Sequence, residues 1–187
     1  DLRMSRGLGD VYKRQVIEVL KPSVSCPQLE AVWEEYQKPV NIEDEVLGTL
    51  KLNRDFEQLD GEILWNGEKV SLALEIDPED EETWDTARSI AHKVMADRES
   101  WDKSMREFAA KELTELANEW QADDDEKKNA DPITEEAFAQ RITLSELSLT
   151  YESDFTAYFD DDDMFWGHTV EVCGSLENGI ESANIAG

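Results

Sequence analysis

From Val46 onward, apolar and polar residues alternate: Leu50 and Leu52 fall on one side and Thr49 and Lys51 on the other, which predicts a strand. The stretch "EILWNGEKVSLALEI", Glu62 to Ile76, places Asn66-Gly67 between two β-rich runs, and both residues tolerate the positive φ of a two-residue hairpin turn. Val70, Leu72, Leu74 and Ile76 then line a buried face. After Pro78 and a cluster of acids the period becomes helical, with Trp84, Ala87, Ala91, Val94 and Met95 on one side. A second helix from about Ser100 carries a broad apolar stripe running from Trp101 and Met105 through Phe108, Ala109 and Leu113 to Leu116 and Trp120. Asp123 to Pro132 reads as its exit loop, and a shorter helix follows from Thr134 through Phe138.

Alternation returns at Leu147, Leu149 and Tyr151, then in "FTAYF" (Phe155 to Phe159) and "MFWGHTVEVCGSL" (Met164 to Leu176). The order is strands, helices, strands, without βαβ alternation. It predicts an α+β fold: a mostly antiparallel sheet of about six strands, with three helices inserted between an N-terminal and a C-terminal group of strands and covering one face.

The chain before Val46 behaves differently. Residues 16–45 read as a leader with one short helix, in which Pro27 suits the first helical position and Leu29, Val32, Trp33 and Tyr36 share one side before Pro39. "DVYKRQ", Asp10 to Gln15, back-translates to the end sequence of a transposon sequencing adapter, and "SRGLG" continues it upstream. Residues 1–15 are therefore expected to be an adapter-derived scar, with the true amino terminus missing. The remaining 46–187 form a single α+β domain.

Charge narrows the range of partners. The chain carries 18 basic and 45 acidic residues, a formal net charge of −27. Arg3, Arg6, Lys13 and Arg14 lie in the scar against Asp1 and Asp10, so the remainder is more acidic still. Such a charge repels nucleic acid and anionic membrane and admits a basic protein partner, or a solvated surface adapted to salt. Cys26 and Cys173 are isolated thiols, as expected in a reducing cytoplasm, although the missing terminus leaves secretion open. No run approaches the roughly 18 apolar residues of a membrane span.

Catalytic signatures are missing: there is no G-x-S-x-G elbow, P-loop, H-E-x-x-H or paired-cysteine zinc pattern. No catalytic residue, cofactor or metal is assigned. The one dense cluster is "FDDDDMFWGH", which makes Asp160, Asp161, Asp162, Asp163, Trp166 and His168 the candidate site. A divalent cation needs carboxylates converging from several directions, which consecutive residues in a turn do not supply, and the calcium-loop spacing is missing. A solvated hairpin turn accounts for the run better. Unbroken alternation would set Trp166, His168, Val170 and Val172 on one face, making His168 a hydrogen-bonded core residue, whereas Gly167 between them could mark a bulge or a close backbone approach. Its imidazole could alternatively act as a general acid or base beside one of the aspartates. His92, among polar neighbours, reads as a surface residue.

The chain from about Val46 to the end resembles the bacterial domain of unknown function 2262. The resemblance rests on "LGTLKLNRDFEQLDGEILWNGEKVSLAL", "ITEEAFAQRITLSELSL" and "YFDDDDMFWGHTVEVCGSLENGIESANIAG". The family pattern has a glycine within the acidic turn, where this chain has none. No activity comes with the resemblance. The reading is a non-enzymatic cytoplasmic protein-binding module with an acidic surface, inhibitor-like or immunity-like against a basic partner. The alternatives are a metal-binding or hydrolytic domain using the acidic turn with His168, and a passive salt-adapted structural domain.

Overall fold

A computed structural model describes residues 25–187. The adapter-like stretch and the start of the leader lie outside the described residues. The chain divides into two units, Asp1–Lys38 and Pro39–Gly187. In the first, α1 (Pro27–Tyr36) has Pro27 in its opening turn, where the missing N–H costs no hydrogen bond. Its Leu29, Val32, Trp33 and Tyr36 are exposed, and the Trp33 and Tyr36 rings stack at 5.7 Å.

The second unit contains one sheet of eight strands in sequence order: β1 (Asn41–Asp44), β2 (Gly48–Asn53), β3 (Gln58–Trp65), β4 (Glu68–Glu75), β5 (Thr143–Thr150), β6 (Asp154–Asp160), β7 (Thr169–Ser175) and β8 (Gly179–Ala186). Three helices stand between β4 and β5: α2 (Glu81–Ala96), α3 (Arg98–Asp123) and α4 (Glu135–Arg141). The α+β class, the inserted helices and the mostly antiparallel sheet agree with the sequence, but there are eight strands instead of about six. The two additional strands are the sheet's edges. β1 is four residues long, and β8 ("GIESANIA") has small and polar residues where a strand signal needs large apolar ones. Every neighbouring pair is antiparallel except β4 and β5, which the helical crossover makes parallel.

Local chemistry sets the element ends. Asn66 (φ 51°) and Gly67 (φ 95°) form the β3–β4 hairpin turn, with Trp65 opposite Glu68. Asp80 caps α2 by accepting the Glu82 N–H, and Thr134 caps α4 by accepting the Ala137 N–H. At the β7–β8 bulge a Cβ on Gly174 would lie 2.2 Å from the Gly179 carbonyl oxygen, so only glycine fits there.

The helices cover one face: α2 lies over β4 and β5, α3 over β7 and β8, and α4 packs on α3. Leu50, Leu59, Leu74, Phe138, Leu147, Phe159 and Val172 are all buried in that layer. Each such side chain contributes about 1.5–3 kcal/mol by leaving water. One polar knot crosses the layer. Asp102 accepts the indole N–H of buried Trp65 at 2.9 Å and the Arg106 Nε–H at 2.7 Å. Arg106 also donates to the carbonyls of Ala139 and Ile142 and lies over the Phe159 ring. It thereby ties β3, α3, the end of α4 and β6 together.

Among the described residues of this unit no helix covers the other face. Strand alternation points Asp60, Glu62, Glu75, Glu146, Asp160 and Glu171 toward it, against Lys51 and Lys69.

Candidate functional site

The acidic turn joins β6 to β7, and its four aspartates do four different things. Asp160 ends β6, exposed and opposite Thr169. Asp161 folds inward, 4% exposed, and accepts the N–H groups of Asp163 at 3.1 Å and Phe165 at 2.6 Å. That makes it the acceptor that closes the turn. Asp162 accepts from Arg141 Nε at 2.7 Å, while its carbonyl takes a second guanidinium N–H at 2.9 Å. Asp163 accepts from Lys127 Nζ at 2.5 Å through its carboxylate and at 3.0 Å through its carbonyl. The bond to Asp163 pushes the Lys127 ammonium pKa up. Asp162 and Asp163 have φ of 48° and 58°, a conformation short polar side chains tolerate.

Trp166 is held in the same left-handed region, φ 57°, where an aromatic side chain is strained. It is 56% exposed, with its ring 4.7 Å from Trp120 of α3. Gly167 follows at φ 84°, so the chain enters β7 only at Thr169. The break falls at Trp166 and Gly167, so the alternation does not run unbroken through His168. Trp166 points outward and His168 is half-buried, edge-on to Trp120 at 5.6 Å. Phe165 supplies the buried anchor, edge-on to Trp120 and to Phe138.

The candidate residues are thus neighbours without convergence. Asp161, Asp162 and Asp163 are engaged by backbone, arginine and lysine. Among the described residues no three of His, Cys, Asp or Glu come together in a set able to hold a metal ion. Cys173 lies on the uncovered face near Thr156 and Glu171, and burial pushes its thiol pKa up, which keeps it protonated and a poor nucleophile. A groove of about 560 Å³ between α3 and α4 is lined by Arg106, Glu107, Glu135 and Glu136, but the Arg106 guanidinium already serves the knot described above.

Two arrangements were not visible in the linear sequence. In the first, Asp44 on β1 meets His92 on α2: the ring Nε2 lies 2.8 Å from one carboxylate oxygen and 2.9 Å from the other. The same carboxylate accepts the N–H groups of Val46 and Leu47, with Arg88 at 3.9 Å. Burial pushes the Asp44 carboxyl up, but the Leu47 and Val46 bonds and His92 outweigh it and hold the pKa below the usual carboxylate value.

In the second, register aligns one row of the uncovered face. Glu62 stands opposite Ser71, Ser71 opposite Glu146, Glu146 opposite Tyr158, Tyr158 opposite Glu171, and Glu171 opposite Asn184. A half-buried tyrosine therefore sits between two glutamates near the middle of the sheet. Burial, and then the charges of Glu171 and Glu146, push its phenol up, so it stays neutral. A signal for this row existed: the acids occupy the polar phase of the strand alternation. Only the pairing register brings them into line.

No helix among the described residues is long and apolar enough to cross a membrane. No curated protein and no solved structure matches the chain. The model of the family described as "Uncharacterized protein conserved in bacteria (DUF2262)" matches residues 44–185, from the carboxylate that meets His92 to the last strand of the sheet, and the chain belongs to that family.

Proposed function

We propose that this domain is a non-enzymatic protein-binding module, acting in the cytoplasm, that receives a basic protein on the uncovered face of its sheet. The observation that carries this reading is Tyr158 flanked by Glu146 and Glu171, with Glu62 in the same row. A neutral aromatic ring between two carboxylates suits a lysine or arginine side chain, which gains ring contact and charge together. Exposed Leu64 on β3 adds apolar area at the rim. The wider acidic field speeds encounter with a basic partner and repels nucleic acid. An inhibitor-like or immunity-like role is one form such binding takes.

The acidic turn has a supporting part. Its carboxylates are engaged in binding α4 and the loop after α3, which fixes the end of the sheet. The test is capture of partners on immobilised protein at about 50 mM and about 500 mM salt, repeated with the double variant Glu146→Lys/Glu171→Lys. Salt-sensitive capture that the double variant abolishes supports the reading. Capture indifferent to both salt and the substitutions contradicts it.

A further inference from the structure

The two edges of the sheet are built differently. β1 is four residues long, contains Glu43 and Asp44, is followed by Glu45, and has Pro39 just upstream. Short length, charge and proline are the devices that keep an edge from pairing with another strand. β8 has eight residues, no lysine, arginine or proline, and one acid, Glu181, in a chain that is 34% charged. Among the described residues the backbone of β8 bonds only toward β7. Its bulge at Glu181 leaves Ser182 to Ala186 as a regular stretch whose outer backbone groups have no partner among the described residues.

Two features stand at the ends of this edge. Beside its start, Asp97 and Ser100, Trp101 and Ser104 of α3 line with Gly179 and Ile180 an open pocket of about 350 Å³. Beside its end, exposed Trp166 lies on Trp120 of the same helix, and the His168 ring sits against Gly187, 3.1 Å from where a Cβ would be. From Trp101 to Trp120 α3 spans about 28 Å at roughly 1.5 Å per residue. From Gly179 to Gly187 the strand spans about 27 Å at roughly 3.4 Å per residue. The helix therefore accompanies the edge along its length, with a hole at one end and a projecting ring at the other.

We infer that β8 is a self-association edge, on which a second copy of this chain adds its own β8 antiparallel about a two-fold axis at Asn184. That register sets Ser182 opposite the second copy's Ala186 and Ala183 opposite the second copy's Ile185, so paired side chains share a face. It brings the second copy's Trp166 to the Trp101–Ile180 pocket, and the two-fold repeats the contact. The two Glu181 side chains then stand about 20 Å apart, well beyond the roughly 8 Å screening length at physiological salt. A near-neutral strip is where two chains of net charge −27 can meet. The result is a continuous sheet of twice the width that leaves the Tyr158 face open.

The test is sedimentation equilibrium of the full chain between about 1 μM and 1 mM, at about 0.15 M and 0.5 M salt. Three proteins are compared: wild type, Ser182→Lys/Ala186→Lys and Trp166→Ala, each checked for native circular dichroism. The expected result is twice the 21.4 kDa chain mass for wild type, with tighter association at higher salt. The lysine pairs, like charges directly opposite, should return the monomer, and Trp166→Ala should weaken association at least tenfold. A monomer throughout, or a dimer that the lysine pairs leave intact, overturns the inference; a dimer indifferent to Trp166→Ala overturns the ring-in-pocket contact. Capture of a basic partner loosens with salt, whereas this dimer tightens, so failure of one leaves the other standing.

Discussion

Asp44 and His92, separated by 48 residues in sequence, meet at 2.8 Å and fasten the first strand of the sheet to the first helix above it. The carboxylate is almost wholly buried, its side chain 5% exposed, and it also holds the turn into β2 through two backbone N–H groups. Asp44→Ala leaves those donors unpaired and should destabilise the domain by about 1–3 kcal/mol in denaturant unfolding. Because the folded carboxyl has a lowered pKa, its contribution is fully present above the unfolded value of about 3.9 and disappears as pH falls through the folded one. Asp44→Asn should therefore remove part of the acid-side loss of stability. Equal acid sensitivity of the two proteins would show that the carboxylate is not linked to folding.

The knot around Asp102 should be the most sensitive polar point of the core. Removing its carboxylate strands both the Trp65 indole N–H and the Arg106 guanidinium, so Asp102→Ala should cost about 3–5 kcal/mol. Arg106→Met in the same background should recover part of that loss, because it removes the unpaired charge. Urea melts of the single and double variants measure the coupling.

The bulge predicts a backbone effect. Gly174→Ala drives a methyl group into the Gly179 carbonyl and should loosen β8, raising amide hydrogen exchange at Ser182 to Ala186 more than in β5 or β6. Uniform exchange across the sheet would place the strain elsewhere.

Divalent cations should leave the melting temperature unchanged, since three of the four aspartates in the turn already have partners. A cation held by the folded state would add about 2.7 kcal/mol at a hundred times its dissociation constant, a shift plain in calorimetry. Such a shift, abolished by Asp162→Ala, would restore the metal-binding reading.

Much of this architecture is legible in the sequence because local chemistry and long-range packing agree. Asn66-Gly67 names its own turn, and Met105, Ala109 and Leu113 repeat at helical spacing on the face that is buried. The edge strands escape that reading because an edge needs little apolar burial, so β8 reads as loop. Trp166 and His168 are misplaced by alternation for a different reason: two consecutive positive φ values at Trp166 and Gly167 interrupt the strand, and no residue type there except glycine announces them. The Glu146–Tyr158–Glu171 row and the Asp44–His92 pair depend on register and on contacts across the fold. Their residues are visible in the sequence; their proximity is not.

Binding of a captured basic partner to two charge-reversed forms of the domain tests the proposed face most directly. Glu146→Lys/Glu171→Lys changes the row beside Tyr158, and Glu112→Lys/Glu119→Lys makes the same change of net charge on exposed positions of α3. If the open face is the binding surface, titration calorimetry will show a loss of at least a hundredfold for the first pair and a few-fold at most for the second. Equal losses for the two pairs would mean that the partner reads only net charge, and would contradict a binding site on the sheet.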